Sequence, residues 1–233
     1  MSDSKSRWLT ILDIVTIVLF LGAVGMVFFY APLEASMGIV QKVFYFHTAS
    51  FWTGMLGFVF SMIAGIIYLR THDHKWDIVG LAGIEIGLVF CLIGVITGSI
   101  WAYPAWNTWW TWDPRLTTVT IMELAYFAYL MLRSGIEDPE RRARFGAVYA
   151  ILAFISVPLT FFSIRLFNTI HPVVIGSGAP GAAGTFDMAP KMVTVFMFAL
   201  LAYTFLFADL FWHRIRLGRL ADKVEQKKLK LSE

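Results

Sequence analysis

Residues 78–102 read IVGLAGIEIGLVFCLIGVITGSIWA, and this stretch decides the class of fold. Its only charged residue is Glu85. The run is longer than the roughly 20 apolar residues that a helix needs to cross a lipid bilayer. A buried strand or a core helix of a soluble protein is usually shorter and more often interrupted by polar residues. The stretch therefore predicts a membrane-spanning helix.

Similar stretches occur on both sides of it. Together they predict six membrane-spanning helices, at 8–30, 43–69, 78–102, 116–132, 145–164 and 189–212. The chain of 233 residues is 58% hydrophobic and 15% charged, with a mean hydropathy of +0.68. A soluble domain of this length carries more charge, so we expect one all-α integral membrane domain over 1–233. The first stretch is long for a signal peptide and is expected to stay uncleaved.

The basic residues are distributed unevenly between the two ends of these helices. All but four of the 19 Lys and Arg residues lie in the terminal segments and in the loops after the second and fourth helices. Cytoplasmic segments collect basic residues, so both termini are predicted to be cytoplasmic. The three other loops are predicted to face outward, and their exceptional cations are Lys42, Arg115, Arg165 and Lys191.

The charge and cysteine content exclude several functions. The net charge of +3 comes from basic residues between apolar spans, so it indicates topology and not a nucleic-acid-binding surface. The basic tail 213–233 is predicted to be a solvated extension that touches anionic membrane lipid. Cys91 is the only cysteine, which excludes a disulfide and a C-x-x-C motif within this chain.

The loop after the third predicted helix is unusually rich in tryptophan. It reads WAYPAWNTWWTWDPRLT over 101–117. An aromatic belt at the membrane surface is one interpretation, but a belt does not need so many tryptophans in one loop. The alternative is a platform of indole faces for a large planar ring, with haem as the favoured ligand. The five tryptophans are Trp101, Trp106, Trp109, Trp110 and Trp112.

Two histidines are predicted to lie on the same side of the membrane as this loop. His47 is five residues into the second predicted helix, and His171 follows the fifth. A lone histidine near a membrane surface is usually structural. Two that flank an aromatic platform favour a pair of axial ligands for haem iron, because neutral imidazole binds it well. His72 and His74, in the inner loop, are interpreted as solvated.

Cations near these elements are candidates for binding the haem propionates. Lys42 and Arg115 are favoured over Arg165, since guanidinium and ammonium groups pair well with carboxylates at partly desolvated sites. All three could instead be ordinary interfacial side chains. Asp113 is predicted to cap the fourth helix or to pair with Arg115. Glu123, inside a predicted span, is given no role.

The segment WAYPAWNTWWTWDPRLT, especially its second half TWWTWDPRLT, resembles the WWD motif of membrane proteins that handle haem in cytochrome c maturation. That family places one histidine before the motif and one after it. Here they stand in KVFYFHTASFW and FNTIHPVV. Six spans and this chain length are similar to the haem exporter protein C (CcmC) branch of system I. The resemblance extends from about Lys42 to Pro172.

The resemblance implies a haem-transfer subunit with no catalytic residue, in the bacterial inner membrane. His47 and His171 would ligate the iron of a transiently and non-covalently bound haem b at the periplasmic face. Haem would pass to a periplasmic haem chaperone (CcmE). The implied partners also include a small single-span protein (CcmD) and the ABC transporter subunits CcmA and CcmB, whose ATPase is a separate chain.

Two positions depart from the family pattern. Asn107 stands where the family usually has glycine, which bears on the conformation of the loop. Pro172 follows His171 where glutamine is common, so a hydrogen-bonding side chain is absent beside that histidine.

Two other functions remain open from the sequence. A b-type cytochrome with fixed haem would carry electrons, but transmembrane electron transfer normally needs histidine pairs on both sides, and the sequence offers no plausible inner pair. A small-solute transporter often contains inverted repeats and broken helices at mid-membrane. No such repeat is evident in this sequence.

Overall fold

The structure is a computed structural model that describes residues 7–174, 176 and 187–232. A π-helical turn, Met26–Tyr30, extends the first helix, and a 3-10 turn, Ile39–Lys42, leads into the second. Residues 177–186 of the predicted third outer loop lie outside the described part. The helices are α1 (Arg7–Gly25), α2 (Val43–Thr71), α3 (Lys75–Trp106), α4 (Pro114–Ser134), α5 (Pro139–Ala153), α6 (Ser156–Leu166) and α7 (Pro190–Ser232).

Five helical segments of the described chain are long and apolar enough to cross a membrane, which confirms five of the six predicted spans. The predicted fourth span corresponds to α4, whose 21 residues extend about 31 Å at about 1.5 Å per residue. Its threonines and Glu123 make it less apolar, so this span stays a prediction. The five segments are Arg7–Tyr30, Ile39–Thr71, Lys75–Trp106, Pro139–Leu166 and Pro190–Lys228.

The tryptophan loop is shorter than predicted. α3 continues to Trp106, so the irregular part is 107–113 and not 101–117. Asn107 ends α3 with φ +52°, in the left-handed region that glycine and asparagine tolerate best. Asparagine at position 107 therefore adopts the same left-handed conformation that glycine would adopt there.

The predicted fifth span is divided into α5 and α6. The break falls at Phe154 and Ile155, immediately before α6. Pro158 lacks the N–H that would bond the carbonyl of Phe154, and its ring crowds that carbonyl. The break between α5 and α6 therefore lies one turn before Pro158 along the chain.

The antiparallel pair α2 and α3 forms the centre of the bundle. α7 packs against α1, α2 and α3, and α5 packs against α2. α4 packs mainly against α5 and α6, on the other side of the central pair. Two main groups of buried residues result: one lies among α2, α3, α7 and the end of α1, and the other among α2, α3, α4 and α5.

Glycines allow α2 and α3 to approach until their backbones touch. A Cβ atom added at Gly57 would lie 2.4 Å from the carbonyl oxygen of Gly83. The reciprocal Cβ at Gly83 would lie 2.5 Å from the carbonyl oxygen of Gly57. Membrane helices associate through this kind of close packing, because lipid provides no hydrophobic drive between them. The pair therefore depends on the absence of side chains at these positions.

Charged residues within the helices make partnerships that the sequence did not reveal. The carboxylate of Glu85 forms an ion pair with the guanidinium of Arg214 in α7. Arg133 forms a two-pronged buried ion pair with Asp77, in which Nη2 lies 2.8 Å from Oδ2. Among the described residues, nothing hydrogen-bonds to the buried carboxyl group of Glu123.

The basic tail is helical, because α7 continues without interruption through the segment predicted to be a solvated extension. At its start, Nε2 of His213 lies 2.9 Å from Oδ1 of Asp13, which connects α7 to α1. His74 makes a weaker contact at 3.5 Å with Asp222 of α7. These histidines therefore make contacts with carboxylates of other helices.

We predict that Gly57→Ala lowers the free energy of unfolding by about 1–3 kcal/mol, because the new methyl group overlaps the backbone of α3. The measurement is an SDS-induced unfolding titration of the detergent-solubilised protein. Gly25→Ala is the control, since a Cβ there meets no atom within 4 Å. Equal free energies of unfolding for the two variants would contradict the close packing of α2 against α3.

Candidate functional site

A cavity lies at the end of the bundle where α2 begins and α3 ends, the end predicted to face outward. Its cavity volume is about 40 Å³, and the space reaches about 500 Å³ when the part open to solvent is included. It brings together both predicted histidines, three of the five tryptophans and one of the candidate cations. Its walls include His47, Phe51, Gly98, Trp101, Trp106, Trp109, Arg115 and His171.

His47 lies in the first turns of α2, with its ring against α3. Its Nδ1 atom is 2.8 Å from the carbonyl oxygen of Gly94. A carbonyl oxygen only accepts hydrogen bonds, so Nδ1 carries the proton and Nε2 keeps a free lone pair. A Cβ added at Gly98 would lie 2.5 Å from Cε1 of this ring. The two glycines thus form the slot that orients the imidazole.

His171 lies in the connection between α6 and α7. Its Nδ1 is 3.2 Å from the carbonyl oxygen of Pro172, so this ring too presents Nε2 as the free nitrogen. The residue is half-buried, and burial lowers the pKa of His171 to about 3, with smaller contributions from Arg115 and His47. The ring is therefore neutral at physiological pH, which is the form that binds metal.

The tryptophans form two groups. Trp101 donates its indole N–H to Oε1 of Gln41 at 2.9 Å, and Trp106 packs edge-on against it at 6.0 Å between ring centroids. Trp109 stacks on Tyr103 at 4.4 Å. Three indoles, those of Trp101, Trp106 and Trp109, line the cavity.

The other two tryptophans lie off the cavity. Trp110 and Trp112 pack edge to face against each other, with ring centroids 5.7 Å apart. Trp112 is 72% exposed, so it faces the surroundings of the protein. The predicted five-indole platform is therefore a three-indole wall with an exposed pair beside it.

The candidate cations also separate. Arg115 lines the cavity and donates from Nη1 to the carbonyl oxygen of Thr160. Lys42 does not line it: its Nζ donates to the carbonyl oxygen of Phe28 at 2.6 Å and lies over the ring of that residue. Arg165 lies over the ring of Phe161.

Asp113 joins the tryptophan loop to the loop that carries His171. One carboxylate oxygen accepts the backbone N–H of Leu116 at 3.0 Å and caps α4, as predicted. The other accepts the hydroxyl of Thr169. The same hydroxyl oxygen accepts the backbone N–H of His171 at 3.1 Å. Asp113 thus positions His171 through Thr169 and does not line the cavity.

Several of these contributors were not predicted from the sequence. Gly94 and Gly98 are spaced four residues apart, a spacing that places both on one helix face and gives the only early signal. Gln41, Thr169 and Phe51, whose ring lies edge-on to that of His47, had no distinguishing pattern. Their roles follow from contacts between distant parts of the chain.

The bundle and this cavity define a multi-span membrane protein with paired imidazoles at one end. The family model described as Heme exporter protein C matches residues 1–230, and the chain belongs to that family. Heme exporter protein C of Bradyrhizobium diazoefficiens is 32% identical over 176 residues, which are 75% of this chain and 66% of that protein.

Two further relatives carry the same name. The protein of Rhodobacter capsulatus is 33% identical over 141 residues, or 60% of this chain and 58% of the relative. That of Escherichia coli K12 is 28% identical over 204 residues, or 84% of this chain and 78% of the relative. The chain thus spans about two thirds of the length of the first relative, 58% of that of the second and 78% of that of the third.

We predict that His171 stays neutral in the folded protein as the pH falls to about 4, because its pKa is lowered to about 3. The measurement is nitrogen NMR of histidine-labelled protein in detergent, with His171→Gln identifying the signal. In the unfolded chain the same ring should titrate near its ordinary pKa of about 6.5.

This difference in pKa also gives the sign of the effect on stability. Below pH 6.5 only the unfolded chain takes up the proton, so acidification towards pH 3 favours unfolding. A titration midpoint of His171 near pH 6.5 in the folded protein would contradict this prediction, because it would show that water reaches the ring freely.

Proposed function

We propose that this chain handles haem in cytochrome c maturation, binding it at the periplasmic end of the bundle and passing it to a periplasmic haem chaperone. The observation that carries the proposal is the pair His47 and His171, which line one cavity, each with Nδ1 bonded to a backbone carbonyl and Nε2 free. Neutral imidazole with a fixed tautomer is a strong axial ligand for haem iron. Haem is the cargo of the protein in this proposal, and no residue is catalytic.

The surrounding residues have distinct roles in this proposal. The faces of Trp101, Trp106 and Trp109 contact the porphyrin, and Arg115 pairs with a propionate. Lys42 has less support as a propionate partner, because its ammonium group is already bonded to the carbonyl of Phe28. Trp110 and Trp112 form an exposed pair beside the cavity, and Asp113 acts as a positioning residue.

Binding must be reversible in a transfer protein, and the architecture supports this. The cavity wall includes two irregular connections, 107–113 and 167–174, which separate more easily than packed helices. The chain offers no thiol at the cavity for covalent attachment, since Cys91 is buried within α3. In this proposal the bound form is haem b, held without a covalent bond by coordination and by contacts.

The membrane arrangement and the partners complete the proposal. The positive-inside rule supports six spans with both termini in the cytoplasm, an orientation in which the cavity would face the periplasm. The partners are the haem chaperone (CcmE), a small single-span protein (CcmD) and the ABC transporter subunits CcmA and CcmB. Membership of the Heme exporter protein C family supports this assembly.

The proposal is tested by absorption spectra of detergent-solubilised protein with added haem. Wild type should give a bis-histidine spectrum, and His47→Ala and His171→Ala should each lose it because one axial position is vacated. His72→Ala is the matched control, since that histidine is exposed at the opposite end of α2.

Transfer is tested by adding the haem-free chaperone to the loaded protein. Departure of haem supports a handler, whereas retention would indicate the fixed haem of an electron carrier. If the wild-type protein stays haem-free when both haem and the chaperone are supplied, the proposal that it binds haem is contradicted.

We also predict that Gly98→Ala weakens haem binding by about 10–100-fold, the usual effect of disturbing the support of a metal ligand. The methyl group displaces the ring of His47 without changing any ligand atom. Gly135→Ala is the control, because the nearest atom to a Cβ there is 3.7 Å away. The measurement is a haem titration, and equal affinities in the two variants would contradict the proposed slot.

A further inference from the structure

A second cavity opens on the lipid-facing side of the bundle, between α2 and α7. We refer to it as the α2–α7 groove. Its cavity volume is about 600 Å³, or about 1080 Å³ when the part open to solvent is included, and it lies apart from the histidine cavity with no lining residue in common. Its lining consists of Leu56 and Phe60 from α2 and of Thr204, Phe207, Ala208, Phe211, Trp212, Ile215, Arg216 and Arg219 from α7.

The walls of the groove are largely aromatic. The ring of Phe60 lies 5.5 Å from that of Phe207 and 5.3 Å from that of Phe211. Phe207 and Phe211 stack on each other at 5.1 Å. Trp212 is 41% exposed, so much of its indole is open to the surroundings. Such a surface accommodates a flexible hydrocarbon chain better than it does water.

The length of the groove matches one leaflet of a bilayer. From Thr204 to Arg219 is fifteen residues of α7, or about 22 Å at about 1.5 Å per residue. Half of the hydrocarbon core is about 15 Å, and the headgroup region adds several more. The groove therefore extends from near mid-membrane to the level of the headgroups.

Two cationic side chains lie at the end of the groove that is level with the lipid headgroups. Arg216 is half-buried and Arg219 is exposed. Neither forms an ion pair or a hydrogen bond with any residue in the described part of the chain. Guanidinium groups bind phosphate oxygens well, and basic pockets between membrane helices bind anionic headgroups. The groove thus combines an apolar channel with a pair of phosphate-binding groups.

We propose that the α2–α7 groove binds one anionic phospholipid from the leaflet on the side of the basic tail. An acyl chain lies along the phenylalanine rings, and the phosphate contacts Arg216 and Arg219. The groove itself stops near Thr204, so its length fits the acyl chain of one leaflet, whereas a helix that crosses the membrane would also have to cover the exposed Leu201, Met197 and Val193. The proposal does not rest on haem binding; the orientation proposed above only identifies the leaflet as the cytoplasmic one.

The test is native mass spectrometry of detergent-solubilised protein titrated with phosphatidylglycerol, with phosphatidylcholine as the neutral reference. Arg216→Gln/Arg219→Gln should weaken phosphatidylglycerol binding by about thirtyfold and leave phosphatidylcholine binding nearly unchanged. Lys227→Gln/Lys228→Gln is the matched control, because it removes the same charge from the same helix outside the groove.

A second pair of variants tests the apolar channel. Ala208→Trp should fill it and reduce the binding of both lipids, whereas Leu210→Trp, on a part of α7 outside the groove, should not. Circular dichroism checks that each variant keeps its helices. Equal losses in the two charge variants would overturn the proposal in favour of general charge attraction. Co-purification of a small membrane protein that Ala208→Trp displaces, with no bound lipid, would overturn it in favour of a partner helix.

Discussion

The backbone contact between α2 and α3 sets the position of nearly everything at the candidate site. Gly57 and Gly83 bring the two helices together at mid-height, and the same closeness continues to the end of α3. There it presses the ring of His47 against Gly94 and Gly98, so that one carbonyl fixes both the orientation and the tautomer of the imidazole. A larger distance between α2 and α3 would leave Nδ1 of His47 without its hydrogen bond and allow the ring to rotate.

The second half of the site is attached by polar contacts as well as by packing, since Val173 is buried and the ring of His171 lies 6.1 Å from that of Trp106. His171 belongs to an irregular connection, and its position depends on the hydroxyl of Thr169, which is shared between the backbone and Asp113. One imidazole is thus carried by a packed helix pair and the other by an irregular connection. This asymmetry fits the haem transfer proposed above, in which one ligand would stay fixed while the other moves.

The sequence predicts features that depend on local composition, and it fails where distant residues decide. The spans follow from long apolar runs, and the cap at Asp113 follows from residue type and from the proline after it. The partnership of Glu85 with Arg214 requires knowing that α7 packs on α3. The tryptophan-rich sequence predicts that α3 ends near 102. The helix instead continues to Trp106, because the residue whose left-handed conformation ends it is Asn107. The hydrogen bond from Lys42 to the carbonyl of Phe28, which makes Lys42 a weaker propionate candidate, joins two segments that the sequence does not bring together.

The uninterrupted course of α7 has a mechanical consequence. Its 43 residues extend about 65 Å at about 1.5 Å per residue, roughly twice the thickness of the hydrocarbon core. One end packs among the residues beneath the histidine cavity, through Met192, Val195 and Phe196, and the other projects well beyond the lipid. The helix therefore connects the region beside the cavity to the opposite side of the bundle. Its far half is tied to α1 through His213 and Asp13 and to α3 through Arg214 and Glu85, so any shift of α7 beside the cavity would also strain these distant contacts.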